Sequence, residues 1–432
     1  MDKAWRLLQG NKGRVLAAVV FVLAIAMNFW ASKRQGSDFA PLHLAARGLA
    51  ERAPIYEPAW LKTVFFDRYG MLAPSGVFYP PSTSVLMLPF GLSPYGLAEF
   101  AWFVTLVGAV ILGVRAMLQL ALPTAGRGAW VAAAAVILLS ACIRWGITPL
   151  QGAPLVLGLL CLFLQAVERQ RWLLAWSIAT AVLAFKFTLA LPFLGVLALH
   201  RRFASVALAV GVWVTLNVLG FAWLGGTTAF DLYRYNIGVV EALRDINTPD
   251  PWEPVSVPRL DWVYLLYGVG RNLALAKVLT ALLSLMALIW VGVERLRLRR
   301  APNLHETVAF LVPLVCLSLL SVYHHHYDAA LFVAPLAMLV LLWRADAEDR
   351  GSSVLTRNGA ALWMLAPLAV MMALLPIGKS QSILASLLGR YGLPALNFSF
   401  PIATTLAFIA GLIILRETVR AGQTAMPADP AE

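Results

Sequence analysis

Cysteine is scarce in this chain of 432 residues: there are three, Cys142, Cys161 and Cys316, each inside an apolar segment. Isolated cysteines so placed form neither a disulfide framework nor the paired spacing of a structural zinc site. Charge is scarce too. Asp, Glu, Lys and Arg make up 13% of the residues, against roughly a quarter in a soluble domain. The deficit falls mostly on one sign, with 22 acidic residues against 34 basic ones. Histidine occurs six times, and three of those stand together as His324-His325-His326. No Gly-rich phosphate loop, internal repeat or low-complexity tract is present, and no polar stretch is large enough to fold alone.

Hydrophobic sequence fills the space. It accounts for 60% of the residues, and mean hydropathy is +0.76. Apolar stretches of about 17–25 residues, enough to cross hydrocarbon, recur from end to end. Backbone groups in hydrocarbon must pair within their own segment, and the period-2 alternation of a barrel is missing. The chain is therefore expected to be all-α and polytopic. Twelve spans are placed near 14–30, 96–119, 129–146, 154–167, 172–186, 187–200, 204–223, 273–293, 305–322, 327–343, 358–376 and 397–415. Three of these are shorter than ~17 residues, which predicts broken or tilted helices around Gln151 and Lys186. The apolar piece 82–91 is too short to span and reads as re-entrant or interfacial.

A net charge of +12 invites a nucleic-acid partner, but the basic residues sit in short loops beside spans. Arg295, Arg297, Arg299 and Arg300 are the densest group. With that loop, the Arg201/Arg202 pair and the N-terminal arm on one side, the positive-inside rule makes that side cytoplasmic, with both termini there. The arm (Lys3, Arg6, Lys12, Arg14) leads into the first span with no small-residue cleavage site, so a retained signal-anchor is expected. A single membrane domain then covers 1–420. Loops 31–81 and 224–262 lie on the opposite, extracytoplasmic side, and 421–432 reads as a disordered tail.

That opposite side holds the residues able to do chemistry. Asp38 follows the first span and precedes a helix. Phe39, Leu42, Ala46 and Leu49 share one face of that helix and His43, Arg47 and Glu51 the other, as in a helix lying on a membrane surface. Asp38 is either its N-cap or a working carboxylate. Phe78-Tyr79-Pro80-Pro81 either starts a helix or places the Tyr79 hydroxyl at a site mouth. Gln151 stands in a turn between two short spans. Lys186 lies deep in apolar sequence, where an ionisable group is functional by default unless it snorkels to the interface. Three consecutive histidines point about 100° apart on a helix, so they cannot share one metal; Asp328 is the one acidic partner nearby. The remaining readings are an interfacial cluster, or hydrogen bonds to phosphate or sugar. In the loop 224–262, Arg234 and Arg259 alternate with Tyr and Trp. That pattern suits a sugar phosphate and also a membrane interface.

The order of these features resembles the bacterial polyprenol-phosphate-mannose-dependent mannosyltransferases, glycosyltransferase family 87 with a GT-C type fold. Asp38-Phe39, Ala45-Ala46-Arg47, Tyr56 and Phe78-Tyr79-Pro80-Pro81 carry the likeness most specifically, and the rest follows in order and hydropathy. The resemblance implies an inverting hexosyl transfer, mannosyl by preference, from a polyprenyl-phosphate-linked donor to a lipid or glycan acceptor. It implies the extracytoplasmic face of the bacterial inner membrane, with no cofactor, metal or nucleotide sugar. Asp38 maps onto the family's general base, and His325 and His326 onto its supporting histidine. The Trp that usually precedes that histidine is Tyr323 or absent here, so the register within the tract stays open. Tyr79, Lys186, Gln151, His324, Arg234 and Arg259 would surround the donor phosphate and sugar. The rival donor is another lipid-linked pentose or hexose. The rival class is a lipid transporter or flippase, whose paired repeats are not evident.

Overall fold

In a computed structural model of the protein, the structure describes residues 11–33, 38–69, 77–242, 248–252, 259–350, 365 and 392–424. Among these it is all helical apart from turns and one isolated backbone bridge. The helices are α1 (Asn11–Ser32), α2 (Phe39–Glu51), α3 (Pro58–Tyr69), α4 (Pro81–Leu86), α5 (Leu88–Gly91) and α6 (Tyr95–Ala121). Next come α7 (Arg127–Leu139), α8 (Ala141–Ile147), α9 (Ala153–Glu168), α10 (Trp172–Phe185), α11 (Leu191–Leu199) and α12 (Phe203–Trp223). The last are α13 (Thr227–Ala242), α14 (Trp262–Gly270), α15 (Leu273–Arg297), α16 (Leu304–Ser321), α17 (Val333–Arg350) and α18 (Gly392–Thr424).

Six helices among the described residues are long and apolar enough to cross a membrane: α1, α6, α12, α15, α16 and most of α18. They make this a multi-pass membrane protein. The expected span 129–146 is instead a broken pair, α7 and α8, bent by 70° at Ser140. The Leu138 carbonyl at this break accepts from the Asn28 side chain of α1 at 3.0 Å, so the interruption leaves that group paired. Helices α9 and α10, with 16 and 14 residues, reach only about 21–24 Å at 1.5 Å per residue, short of a ~30 Å core. The expected span 187–200 is a 3-10 turn, Phe187–Leu189, followed by the nine residues of α11. Segment 358–376 lies outside the described residues except for Leu365. The tail expected from 421 begins inside α18, which continues to Thr424.

Burial sorts the long helices into a centre and a rim. Every residue of α16 from Glu306 to Leu320 is buried, whereas α1, α12 and α15 turn most of their Leu, Val and Phe side chains outward. Such exposure belongs to a lipid-facing surface. Helices α6 and α9 approach closely through small residues; a Cβ on Gly158 would stand 2.2 Å from the Ala109 carbonyl oxygen.

Two corrections concern the first loop and the segment after it. On the expected polar face of α2, Arg47 and Glu51 pair with 41% of each side chain exposed, but His43 does not share that exposure and most of the rest of the helix is enclosed. Phe39, Leu42 and Ala46 belong to the main core, while Ala40, Leu44 and Ala45 belong to a second one with Tyr56, Leu61 and Tyr233. His43 is 2% exposed, bonded to the Tyr69 hydroxyl at 2.7 Å and the Ser93 carbonyl at 3.0 Å. Segment 82–91, expected as one short helix, is two, α4 and α5, separated by Met87.

Candidate active site at one end of the helices

The helix ends fall into two chemically different sets. At one, Arg295 Nε donates to the Leu199 carbonyl at 2.7 Å and Arg300 forks onto Glu306 at 2.7 and 2.8 Å. This is the start of α16 and the end of α11. At the other end, where α10 and α16 finish and α11 begins, lie Asp38, Lys186 and the histidines.

Asp38 occupies the N-cap position of α2, but its side chain makes no capping bond. Its backbone N–H donates to the Pro149 carbonyl at 2.9 Å, and its carboxylate accepts from the Gln151 amide. The turn that presents Gln151 is fixed by two features. Leu150 adopts a left-handed conformation at φ 63°, and its carbonyl accepts from Trp102 Nε1 at 2.9 Å. Asp38 keeps a solvent-accessible edge, yet protein atoms crowd its carboxyl. This loss of hydration raises its pKa above the ordinary carboxylate value, while the Gln151 bond and the Lys186 charge pull the other way.

Lys186 sits where α10 ends, with φ −144° and ψ 76°. The preceding carbonyls are taken by α4: Ser82 Oγ donates to Ala184 at 2.9 Å and Thr83 Oγ1 to Phe185 at 2.9 Å. The ammonium therefore turns elsewhere, to Asp328 Oδ1 at 2.5 Å, and stands 5.4 Å from the centre of the Tyr327 ring. The other oxygen of Asp328 meets His324 Nδ1 at 2.8 Å.

Tyr79 is packed between these groups. Its carbonyl accepts from the Tyr56 hydroxyl at 2.9 Å. Burial pushes its phenol pKa up, and the nearby negative charges of Asp38 and then Asp328 add to the rise. One phenol thus feels both carboxylates.

The three histidines divide. His324, 1% exposed, faces Asp328. His325 meets the Tyr323 hydroxyl; burial drives its pKa well below the ordinary value, with His326 and Arg259 adding to the drop, which keeps the ring neutral. His326 packs edge-on against Trp145 of α8 at 4.9 Å. The loop before α14 clamps this tract: Leu260 N donates to the His324 carbonyl at 2.9 Å, and Arg259 bridges to His325.

Arg259 is committed to Asp261, with Nε and Nη2 at 2.8 and 2.9 Å, and it covers the Tyr323 ring at 4.5 Å. Arg234 is exposed on α13 beside Phe230, and among the described residues no contact joins it to Asp38, Lys186 or the histidines. Its neighbours link inward instead, with Asn236 donating to the Tyr56 carbonyl at 3.1 Å. Asp38, Gln151, Tyr79, Lys186 and His324 thus come together, His325 and His326 flank them, and Arg234 stays apart. Sequence reasoning weighed Asp328 only as a metal partner and passed over Ser82 and Thr83. The i,i+4 spacing of His324 and Asp328 was the one legible sign.

A membrane-embedded helical body with a polar site at one end is the class that this geometry defines. Residues 78–322, more than half of the chain, match glycosyltransferase family 87, and the chain belongs to that family. It is a glycosyltransferase, which sets aside the transporter reading. The match includes Tyr79, Gln151, Lys186, Arg234 and Arg259; Asp38 precedes it and the histidines follow it. No curated protein and no solved structure matches the chain.

Proposed function

We propose that the protein is an inverting glycosyltransferase of GT-C architecture that moves a sugar, mannose by preference, from a polyprenyl-phosphate-linked donor to a lipid or glycan acceptor. In this reading Asp38 is the general base. It takes the proton of the acceptor hydroxyl as that oxygen attacks the anomeric carbon. The bond from that carbon to the phosphate oxygen breaks, and its electron pair leaves with polyprenyl phosphate. One displacement inverts the centre and needs one base, unlike hydrolysis with its two carboxylates. The ammonium of Lys186 faces the charge that grows on the departing phosphate, and Tyr79 offers a hydroxyl to phosphate or sugar.

The observation that carries this reading is the carboxylate of Asp38. It stands at a helix start without capping it, held by Gln151 beside Lys186 and Tyr79. A carboxylate that spends none of its bonds on the helix is available for a proton. The basic loops at the far helix ends support a cytoplasmic side there and an extracytoplasmic site, with twelve crossings and both termini inside, in a bacterial inner membrane.

The decisive experiment incubates the purified protein with a panel of polyprenyl-phosphate sugars, mannose, other hexoses and pentoses, and measures release of polyprenyl phosphate. Release with mannose above all others is the expected result. Release with a pentose alone would replace the sugar, and consumption of nucleotide sugars only would overturn the donor class.

A further inference from the structure

We propose that Asp328 is a positioning residue of this site: it holds the Lys186 ammonium in place to receive the phosphate of the lipid carrier and fixes the buried His324 ring behind it. The proposal rests on the reading that the donor is a lipid phosphate.

Asp328 divides its two oxygens between two side chains from different parts of the chain. Oδ1 takes Lys186, 142 residues away, and Oδ2 takes His324 on the preceding turn. Both carboxylate oxygens are thus occupied inside the protein, and the Asp328 side chain is 3% exposed, so it is not itself a ligand for substrate. Lys186 differs, with 23% of its side chain exposed. Of these three residues it is the one with appreciable exposure.

A lysine on a four-carbon stem at a helix break would ordinarily turn toward the nearest free carbonyls or toward water. The first alternative is closed here, and the second is open on part of the side chain only. Ser82 and Thr83 occupy the last carbonyls of α10, and the Tyr327 ring lies along one side of the ammonium. Asp328 supplies the remaining restraint and takes one of the three ammonium protons. The others are left for an incoming anion, with Asp38 near enough for its carboxyl to sense the charge. His324 is oriented from the same carboxylate through Nδ1. Its Nε2 is buried with no hydrogen-bond partner among the described residues, so Asp328 alone sets the ring by hydrogen bonding.

The test uses the purified full-length protein with Asp328→Asn, Lys186→Met and the double variant. The first readout is thermal stabilisation by polyprenyl phosphate compared with polyprenol, which isolates the phosphate contribution and needs no turnover. The wild type is expected to be stabilised more by the phosphate-bearing lipid, and each variant to lose that difference. The second readout is transfer from the donor that the wild type consumes. For Asp328→Asn a kcat/KM loss of roughly 10- to 100-fold is expected, as when a group that orients a ligand-binding side chain is removed, with donor KM raised in step with the lost phosphate stabilisation. Because the two residues act as one unit, the double variant should be no slower than Lys186→Met. It also leaves no lone charge buried, and it replaces Asp328→Asn if that variant does not fold. Losses that multiply in the double variant, or a phosphate-dependent shift that survives Asp328→Asn, overturn the proposal. So does a wild type that does not distinguish polyprenyl phosphate from polyprenol. A shift that behaves as expected in a protein consuming no lipid-linked sugar would sink the transfer reading and leave the role of Asp328 standing.

Discussion

Gln151 donates its side-chain amide to the carboxylate of Asp38 across 113 residues of sequence. The bond joins the start of α2 to the turn before α9, so the aim of the carboxylate depends on how those two segments pack. Because Asp38 caps nothing, this is the contact that orients it.

Asp38→Asn should abolish transfer, with a loss of at least about 100-fold if Asp38 is the base, without harming the fold. The sign of the stability change follows from the raised pKa. A carboxyl whose folded pKa lies above its unfolded value stabilises the fold below the unfolded pKa, and that contribution fades as pH rises through the folded one. At neutral pH the charged form is therefore a burden, and the neutral amide should leave the thermal midpoint unchanged or higher. Kinetics and thermal melts of the same preparation check both halves. Retained turnover removes the base assignment.

The pH–rate profile should show an acid limb, because the base must be ionised, at a pH above the ordinary carboxylate pKa. Gln151→Ala removes the hydrogen bond that favours the ionised form, so the limb should move to higher pH and the plateau rate should fall. An unmoved limb in a profile of kcat/KM against pH would separate Gln151 from Asp38.

Gly158→Ala should destabilise the protein by about 1–3 kcal/mol. Its new methyl would stand 2.2 Å from a backbone oxygen of α6, which a rotamer change cannot relieve. A thermal or denaturant melt in detergent reads the loss. The turn carrying Gln151 leads into α9, so activity should fall with it.

A reporter inserted after Lys62, in α3, should map outside the cytoplasm, and one placed within the Arg295–Arg300 loop should map inside. Reversed signals would invert the orientation proposed for the site.

Transfer activity should persist in the presence of a strong chelator. Asp328, the carboxylate nearest the histidines, already serves Lys186 and His324, and no group of three or more potential metal ligands occurs among the described residues. Loss of turnover on chelation, restored by a divalent cation, would refute this.

Hydropathy alone located α1, α6, α12, α15, α16 and α18, because a helix that must satisfy its own backbone in lipid writes its length into an unbroken apolar run. The short pieces beside Gln151 and Lys186 also announced their breaks by being too short to cross. The bend at Ser140 left no such mark. One of its carbonyls, that of Leu138, is taken by Asn28 from another helix, and the apolar run continues through it. The placing of His43 on an exposed polar face of α2 failed for a related reason. His43 meets Tyr69 and Ser93 in the interior, and burial of a polar group depends on partners that periodicity cannot show. The candidate groups, a carboxylate, an ammonium and imidazoles, were legible in the sequence, since loop charge and span order are local properties. That Asp38 caps nothing and turns to Gln151, that Lys186 belongs to Asp328, and that Arg234 stands apart emerged from the packing. Gln151 with Asp38 and Lys186 with Asp328 are pairings over 100 residues or more, and they exist because helices pack, not because any segment encodes them alone.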